Sequence, residues 1–546
     1  MATSDNNMCD KATVLWFRRG LRLHDNPALI KALSTKNVFY PIFIFDGETA
    51  GITKESSYNR VRFFLESLKD LDRQLRAKKG KLHFIKGDPV KVFEAIHNIV
   101  PLELVSFEQD PEPMWESRDS KAKAYFDQHT IKWTEEISHT LWNPLDIIKA
   151  NGGVPPLTYE MFLHILSVVG DPPRPVEDPE WEGVKFGFLP LNIGNEVTVY
   201  HSIPTPEQLG YLQTRSSDQQ INRWIGGEQT ALIKLQDRLK VEERAFLDGI
   251  YLPNQARPNL LGPSSSQSAA LSFGCLSIRK FYWAVHDMFN KIYLGHTQLN
   301  QSITGQFIWR EFFYTMSIKN PYYGEMERNP LCLNLPWTKN REDLAKKWEN
   351  GLTGYPFIDA VMRQLHQEGW VHHVARNAVA CFLTRGDLWI SWEVGLRLFL
   401  RLLLDADWSL CAGNWMWVSS SAFEQLLDCS SCVCPVNYGR RLDPQGEYIR
   451  RYIPELRNYP IEYLYEPWKA PLKVQEMAGC YIGQEYPERI VDHAVVSEKN
   501  RKMMENIRLT LVEESTPHCC PSNEEEVRQF MWLPESCSDY LCANRK

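Results

Sequence analysis

Across its 546 residues the sequence contains neither a GxGxxG nor a GxxxxGK motif. It therefore offers no nicotinamide-dinucleotide fingerprint and no Walker loop for nucleoside triphosphates. No apolar run approaches the ~20 residues that a membrane-spanning helix needs, and the opening MATSDNNMCDKAT is polar with no apolar segment behind it. The expectation is a soluble, intracellular chain. Zinc-site spacing is also missing: Cys429, Cys432 and Cys434 form CxxCxC, and Cys519 and Cys520 are adjacent, neither being a pair of ligand pairs. Thirteen cysteines, an odd number without a secretory leader, argue for reduced thiols rather than a disulfide framework. Cys542 lies fifth from the end, so the chain has no prenylation box. Basic charge is not in excess either. A formal net charge of −7 makes the whole molecule a poor polyanion binder, which weakens any reading that rests on DNA. Nothing repeats at a fixed period, which sets array folds aside.

What is present sorts into two styles of patterning. In the first third, the apolar runs Val14 to Phe17, Val38 to Phe45, Leu82 to Ile85 and Leu104 to Phe107 alternate with amphipathic stretches such as Tyr58 to Leu75 and Val90 to Ile99. Continuous apolar strands are buried on both faces, so residues 1–140 are expected to form a doubly wound α/β domain with a parallel sheet. Any ligand of such a domain would sit at the carboxyl ends of its strands. Residues 141–225 are rich in proline and glycine and are read as an interdomain connector. Beyond Gly226, Leu232, Leu235 and Leu239, and later Leu396, Phe399, Leu400 and Leu403, recur at three and four. That spacing predicts a large all-α domain over 226–505, followed by a separable tail at 506–546.

The densest chemistry lies in Asp405 to Ser421, DADWSLCAGNWMWVSSS, where two carboxylates, three tryptophans, a cysteine and an asparagine crowd together. Indole is among the easiest side chains to oxidise by one electron. Several indoles beside a photoexcitable acceptor can pass a hole outward, and a flavin is the natural acceptor. Core tryptophans anchoring a helical domain are the alternative.

Together with Trp309 to Phe312 (WREF), Gly369 to Asn377 (GWVHHVARN), Leu383 to Trp392 (LTRGDLWISW) and Tyr448 to Tyr459 (YIRRYIPELRNY), this segment closely resembles the photolyase and cryptochrome flavoproteins. The match runs from about Ala12 to about Arg508. Within the group the chain is most similar to the light-sensing insect cryptochromes of the animal type I class, because a cysteine follows DADWSL and the tail carries SNEEEVRQFMW. The resemblance implies FAD as cofactor. It leaves open whether an antenna pigment is also held.

Residue by residue, the resemblance implies the following. Ser266 and Ser268, in a serine-rich turn ahead of the helix Ala269 to Phe273, would hold the pyrophosphate, a role that helix N-termini suit. Arg238 and Gln306 would lie near the dinucleotide, and Trp309 would line the cavity above it. Arg376 and Asp405 would form a buried pair, with Asp407 near the ribityl chain and ring edge and Asn414 close by. A structural salt bridge is the plainer reading of that pair. Cys411 falls where photolyases carry asparagine and plant cryptochromes aspartate. A thiol is a weak donor, so a one-electron-reduced flavin is expected to stay anionic. Trp415, Trp392 and Trp337 match the family's electron-transfer chain, with Trp389 a further member. Trp389 and Trp392, three apart, are expected as neighbours on one helix.

His372 and His373 precede Arg376. Repair enzymes acting on six-four photoproducts carry a second histidine four places after the active one, and here that place is Asn377, which has no proton to give near neutrality. His373 then reads as a proton-coupled sensor, or as a satisfied interior histidine. In the tail, Ser522 and Glu525 have capping-box spacing ahead of Phe530, Met531 and Trp532. Two or three such anchors, at about 1.5 to 3 kcal/mol each when buried, suit a reversible latch. The expectation is a blue-light photoreceptor acting on circadian clock components such as the timeless protein and on ubiquitin-ligase machinery, in cytoplasm and nucleus. A DNA photolyase and a light-independent transcriptional repressor are the rivals.

Overall fold

The computed structural model describes residues 11–47, 55–212, 223–249, 258–261, 265–293, 302–423 and 433–513. Its first layer is a six-stranded sheet in the order β5-β4-β1-β2-β3-β6, from β1 (Ala12–Phe17), β2 (Val38–Phe45), β3 (His83–Lys86), β4 (Leu102–Glu108), β5 (Lys132–Glu136) and β6 (Thr198–Tyr200). β1 to β5 run parallel. Every residue of β1 is buried, as the continuous run ATVLWF requires of a strand covered on both faces.

Helices cover the sheet by burying one stripe. In Tyr58–Ala77, Val61, Phe64, Leu68, Leu71 and Leu75 recur at three and four and are all buried, and the Ser57 side chain caps the first turn. The strand β6 comes from the proline-rich 141–225 stretch and pairs antiparallel with β3, so part of that stretch completes the sheet edge.

The order reverses between β1 and β4, which sit side by side and lead outward to β2-β3 and to β5. Open α/β sheets receive ligands at this switch point, beyond the strand carboxyl ends. Here the helical part of the chain docks there. Arg18 and Arg19 follow β1, Asp110 and Glu112 follow β4, and Arg19 pairs with Glu112 at 2.5 Å and with Asp407 from the helical part. Arg60, on the helix Tyr58–Ala77, donates to the carbonyls of Leu403 (2.7 Å) and Ala406 (2.6 Å). The loop carrying Asp405 is thus fixed from the sheet side. Beside these groups lies a cavity of about 230 Å³ lined by Arg19, Arg60, Glu112, Trp115, Arg397 and Trp408 among others.

The second layer is helical from Glu228 onward, ending in a 21-residue helix His493–Glu513. No helix among the described residues is long and apolar enough to cross a membrane, and no group there could hold a metal ion.

Candidate functional site

Three short helices bring the site together. His373–Cys381 starts at His372, whose imidazole accepts from the Val374 N–H at 3.3 Å. That start places His373 on the first turn and Arg376 one turn later. The Arg376 guanidinium donates to Asp405 at 2.8 Å and to the Val371 carbonyl at 2.9 Å. Burial pushes the Asp405 carboxyl up, but Arg376, with help from Ser268 and Arg60, outweighs it and holds the group below its usual range. One carboxylate oxygen is thereby used; the other, Oδ1, is buried without a hydrogen-bond partner.

The helix Trp408–Val418 supplies Cys411 and Asn414, three apart and so on one face. Burial, reinforced by Asp405, pushes the Cys411 thiol up to about 12, so it is protonated at neutral pH. Asn414 is exposed and turns its amide to the Leu410 carbonyl at 2.8 Å. Asp407 precedes this helix without capping it, because its carboxylate goes to Arg19. The expected place at the ring edge is thus shared with a structural ion pair at the domain junction.

The two histidine rings lie with centroids 4.4 Å apart, tilted by 33°. Burial lowers both, His372 to about 3 with His373 and Arg376 adding to the effect, and His373 to about 4 with Arg376 and Arg238 adding. Both rings are therefore neutral at pH 7. His373 Nε2 is buried with no partner.

Toward the serine turn, the short helix begins at Ser268 itself rather than after it. Ser268 Oγ accepts from Trp370 Nε1 at 3.3 Å and from the Ser266 hydroxyl at 3.0 Å. Arg238 is buried against Glu242 and donates to Ser265 at 3.2 Å. Gln306 is exposed and Trp309 half-buried, its ring 4.5 Å from Tyr159 and 5.9 Å from Trp417.

Trp415 follows Cys411 by one turn on the same helix. Trp415 is buried against Phe399, 5.0 Å between centroids, in a gap opened by Gly395. A Cβ at Gly395 would come within 2.1 Å of the Trp415 ring. Trp392, fully buried, lies three residues before Gly395 and shares its face. Trp337 and Trp389 pack at 5.0 Å. Here the sequence expectation needs correcting. Trp389 is not on one helix with Trp392: it has φ +53° and precedes the helix Trp392–Leu402. Its partner is Trp337, and its Nε1 donates to the Pro336 carbonyl at 2.9 Å. Trp415, Trp392 and Trp337 have buried indole N–H groups with no acceptor. Trp348, which sequence reasoning passed over, lies 6.3 Å from Trp415 and donates to the Val379 carbonyl. Phe530, Met531 and Trp532 lie outside the described residues.

The wall so assembled has an arginine paired on one side only, open polar atoms on Asp405 and His373, and a serine turn. These groups fit a flat cofactor bearing both ring heteroatoms and phosphates. The comparisons with known proteins agree. Residues 303–506 match the FAD binding domain of DNA photolyase, and residues 13–180 match DNA photolyase. The chain belongs to the photolyase and cryptochrome family. It is 52% identical to Cryptochrome-1 of Anopheles gambiae and 51% identical to Cryptochrome-1 of Drosophila melanogaster, each match covering 96% of this chain and 98% of the relative. A bacterial class III photolyase from Agrobacterium tumefaciens is similar in structure, with TM-score 0.76 and 25% identity over 93% of this chain and 100% of that one. FAD is the family's cofactor, and the sheet-plus-helices architecture is the family's fold.

Sequence motifs located this wall but not the junction behind it. Arg19, Arg60 and Glu112 were missed. The signal available was positional: a paired arginine directly after the first strand of a doubly wound sheet.

Proposed function

We propose that this member of the family is a blue-light photoreceptor of the cryptochrome type, which uses a tryptophan chain to drive a charge-coupled change at His373 and release of its C-terminal tail. The observation that supports this reading best is a set of buried indoles, Trp415, Trp392, Trp337 and Trp389, the last two packed at 5.0 Å, on the chain that also carries Cys411, a thiol too weak an acid to supply a proton. Bound FAD supplies blue-light absorption and accepts one electron. Trp415 gives up an electron and is refilled from Trp392, so the hole moves outward. Trp389, hydrogen-bonded to a carbonyl through its N–H, is the site best suited to stabilise it. Arg376 holds a fixed positive charge at the wall, and Asp405 keeps it oriented. His373, neutral and with an open nitrogen, takes up a proton when negative charge appears before it.

The tail residues Phe530, Met531 and Trp532 then act as the latch, and their release exposes surface for clock proteins such as timeless and for ubiquitin-ligase components, in cytoplasm and nucleus. The naming of insect relatives as Cryptochrome-1 supports this reading. DNA photolyase is the second reading, favoured by the structural likeness to a bacterial photolyase. Against it stand Asn377, where six-four repair requires histidine, and the net charge of −7.

Absorption spectra of the purified holoprotein before and after blue light test the proposal. Light should bleach the oxidised-flavin band in the wild type, and Trp392→Phe should lose most of that response. Equal rate and yield in the variant would overturn the route.

A further inference from the structure

The outer pair of the indole series hangs on a short loop, and the final helix grips the other end of that loop. Residues Phe382–Gly386 form a π-helical turn in which Thr384 leaves helical geometry, with φ −95° and ψ −116°. Turns of this kind are rare and tend to mark functional sites. Three residues after Gly386, Trp389 adopts φ +53°. A bulky side chain avoids this left-handed backbone, which persists only where the surroundings over-determine it.

Two sets of bonds do so. The body of the domain supplies the first: the Trp389 N–H donates to the Thr384 carbonyl at 2.9 Å, the Trp389 carbonyl accepts from the Thr338 N–H at 3.0 Å, and Arg341 donates to the Leu388 carbonyl at 2.8 Å. The helix His493–Glu513 supplies the second. Asn500, 3% exposed, donates its side-chain amide to the Gly386 carbonyl at 3.1 Å and to the Asp387 carbonyl at 3.3 Å. Among the described residues no other donor reaches either carbonyl. At the start of the same helix, His493 Nδ1 lies 2.7 Å from Oδ1 of Asp387, whose side chain has no exposure. Buried carbonyls need a partner. Without Asn500 the peptide groups at Gly386 and Asp387 must turn to find one, which removes the support for the left-handed residue beside them and lets the Trp389 ring drift from Trp337, which it meets at 5.0 Å.

We propose that Asn500 is a positioning residue for the outer end of the hole route: from the final helix it fixes the Gly386 and Asp387 peptide groups, and through them holds the Trp389 indole against Trp337. The inference rests on the indole route proposed above. Asn500 takes part in no covalent or redox step. The electron that refills Trp392 still comes from the outer pair, and Asn500 fixes how far it travels. Electron transfer between rings falls steeply with their separation, so a small displacement of Trp389 slows the refilling. The coupling between helix docking and the Trp389 conformation is reciprocal. A partner that pulls on the helix weakens the outer end of the route, and a change at Trp389 loosens the helix.

Hydrogen exchange of the holoprotein in the dark and flavin bleaching under blue light test this together. Asn500→Ala should keep its flavin absorbance, exchange the amides of residues 387–390 several-fold faster, and bleach several-fold more slowly. Ile507→Ala, which trims another contact of the same helix with the core, should loosen the end of the helix and leave both the loop and the bleaching as in the wild type. Equal slowing in the two variants would make the role merely structural and overturn the proposal, as would unchanged exchange in the loop of Asn500→Ala. Trp392→Phe separates the two levels. Slow bleaching there beside wild-type bleaching in Asn500→Ala overturns the positioning role alone, whereas wild-type bleaching in Trp392→Phe overturns the route and leaves dark exchange to decide the positioning. If Asn500→Ala loses its flavin, Trp389→Phe decides through the reciprocal effect: faster exchange across residues 493–513 supports the coupling, and unchanged exchange overturns it.

Discussion

The domain junction and the flavin wall are both built around a buried arginine, and they treat it in opposite ways. At the junction Arg19 is enclosed by Glu112, Asp110 and Asp407. Burial lowers the arginine, yet this ring of carboxylates raises it well above its ordinary value. At the wall Arg376 meets one carboxylate, keeps about a quarter of its side chain accessible, and has neutral histidines beside it. A charge enclosed by opposite charge is structural. A charge paired on one side only is left available to something not made of protein.

The largest expected effect breaks the junction. Arg19→Met would leave three carboxylates buried without their cation, and removing one partner of a buried ion pair costs about 3 to 5 kcal/mol. Thermal denaturation of the holoprotein should show the loss, and Arg376→Met should lose less. The reverse order would break the comparison.

Next comes Gly395→Ala, whose added methyl would meet the Trp415 ring at 2.1 Å. Overpacking of this kind costs about 1 to 3 kcal/mol. Denaturation should register that loss, and light-driven bleaching should slow as well because the first indole of the chain is displaced. Destabilisation with unchanged bleaching would detach Trp415 from the route.

A third comparison uses pH, because the two regions have opposite signs. His373 is lowered from 6.5 to about 4. Its contribution is present above pH 6.5 and is lost as the pH falls through the folded value, since the unfolded chain binds the proton more readily. Glu112 is raised from 4.5 to about 7, by burial ahead of the repulsion from Asp407 and Asp110 that Arg19 opposes. Its contribution is present below pH 4.5 and is lost as the pH rises through 7. In stability measured against pH, His373→Asn should flatten the acid limb, and Glu112→Gln should flatten the fall toward neutrality. Exchanged effects would show that the two environments had been assigned to the wrong residues.

The smallest effect is expected from Asn377→His. A histidine at that place should leave light-driven repair of damaged DNA undetected in a turnover assay, because one added proton donor leaves in place a net charge of −7 that disfavours a polyanion. Measurable turnover would favour the photolyase reading.

How far the sequence could be read follows the same division. β1 and β2 were legible as unbroken apolar runs, but β5 (KWTEE) is an edge strand with no buried residue, and its polar sequence gave no signal. The wall was legible because its residues come in long local motifs. The junction was not: Arg19 and Asp407 are 388 positions apart, and no local pattern couples them. Trp389 was misplaced because spacing of three implies a shared face only inside a helix, whereas a left-handed backbone at φ +53° turns this residue toward Trp337.

The final helix has a consequence best expressed as a length. Asn500 ties it to the carbonyls of Gly386 and Asp387, at 3.1 and 3.3 Å, two residues from Trp389. Its 21 residues extend about 30 Å at 1.5 Å per residue. Phe530 lies seventeen residues beyond Glu513, a stretch that can reach at most about 60 Å when fully extended. The tether is therefore long enough to fold back along the whole helix with slack remaining. A segment on a tether of this length meets the body at an effective concentration in the millimolar range, so in the latch proposed above the anchors would need only weak intrinsic affinity, and a small change in charge would be enough to release them.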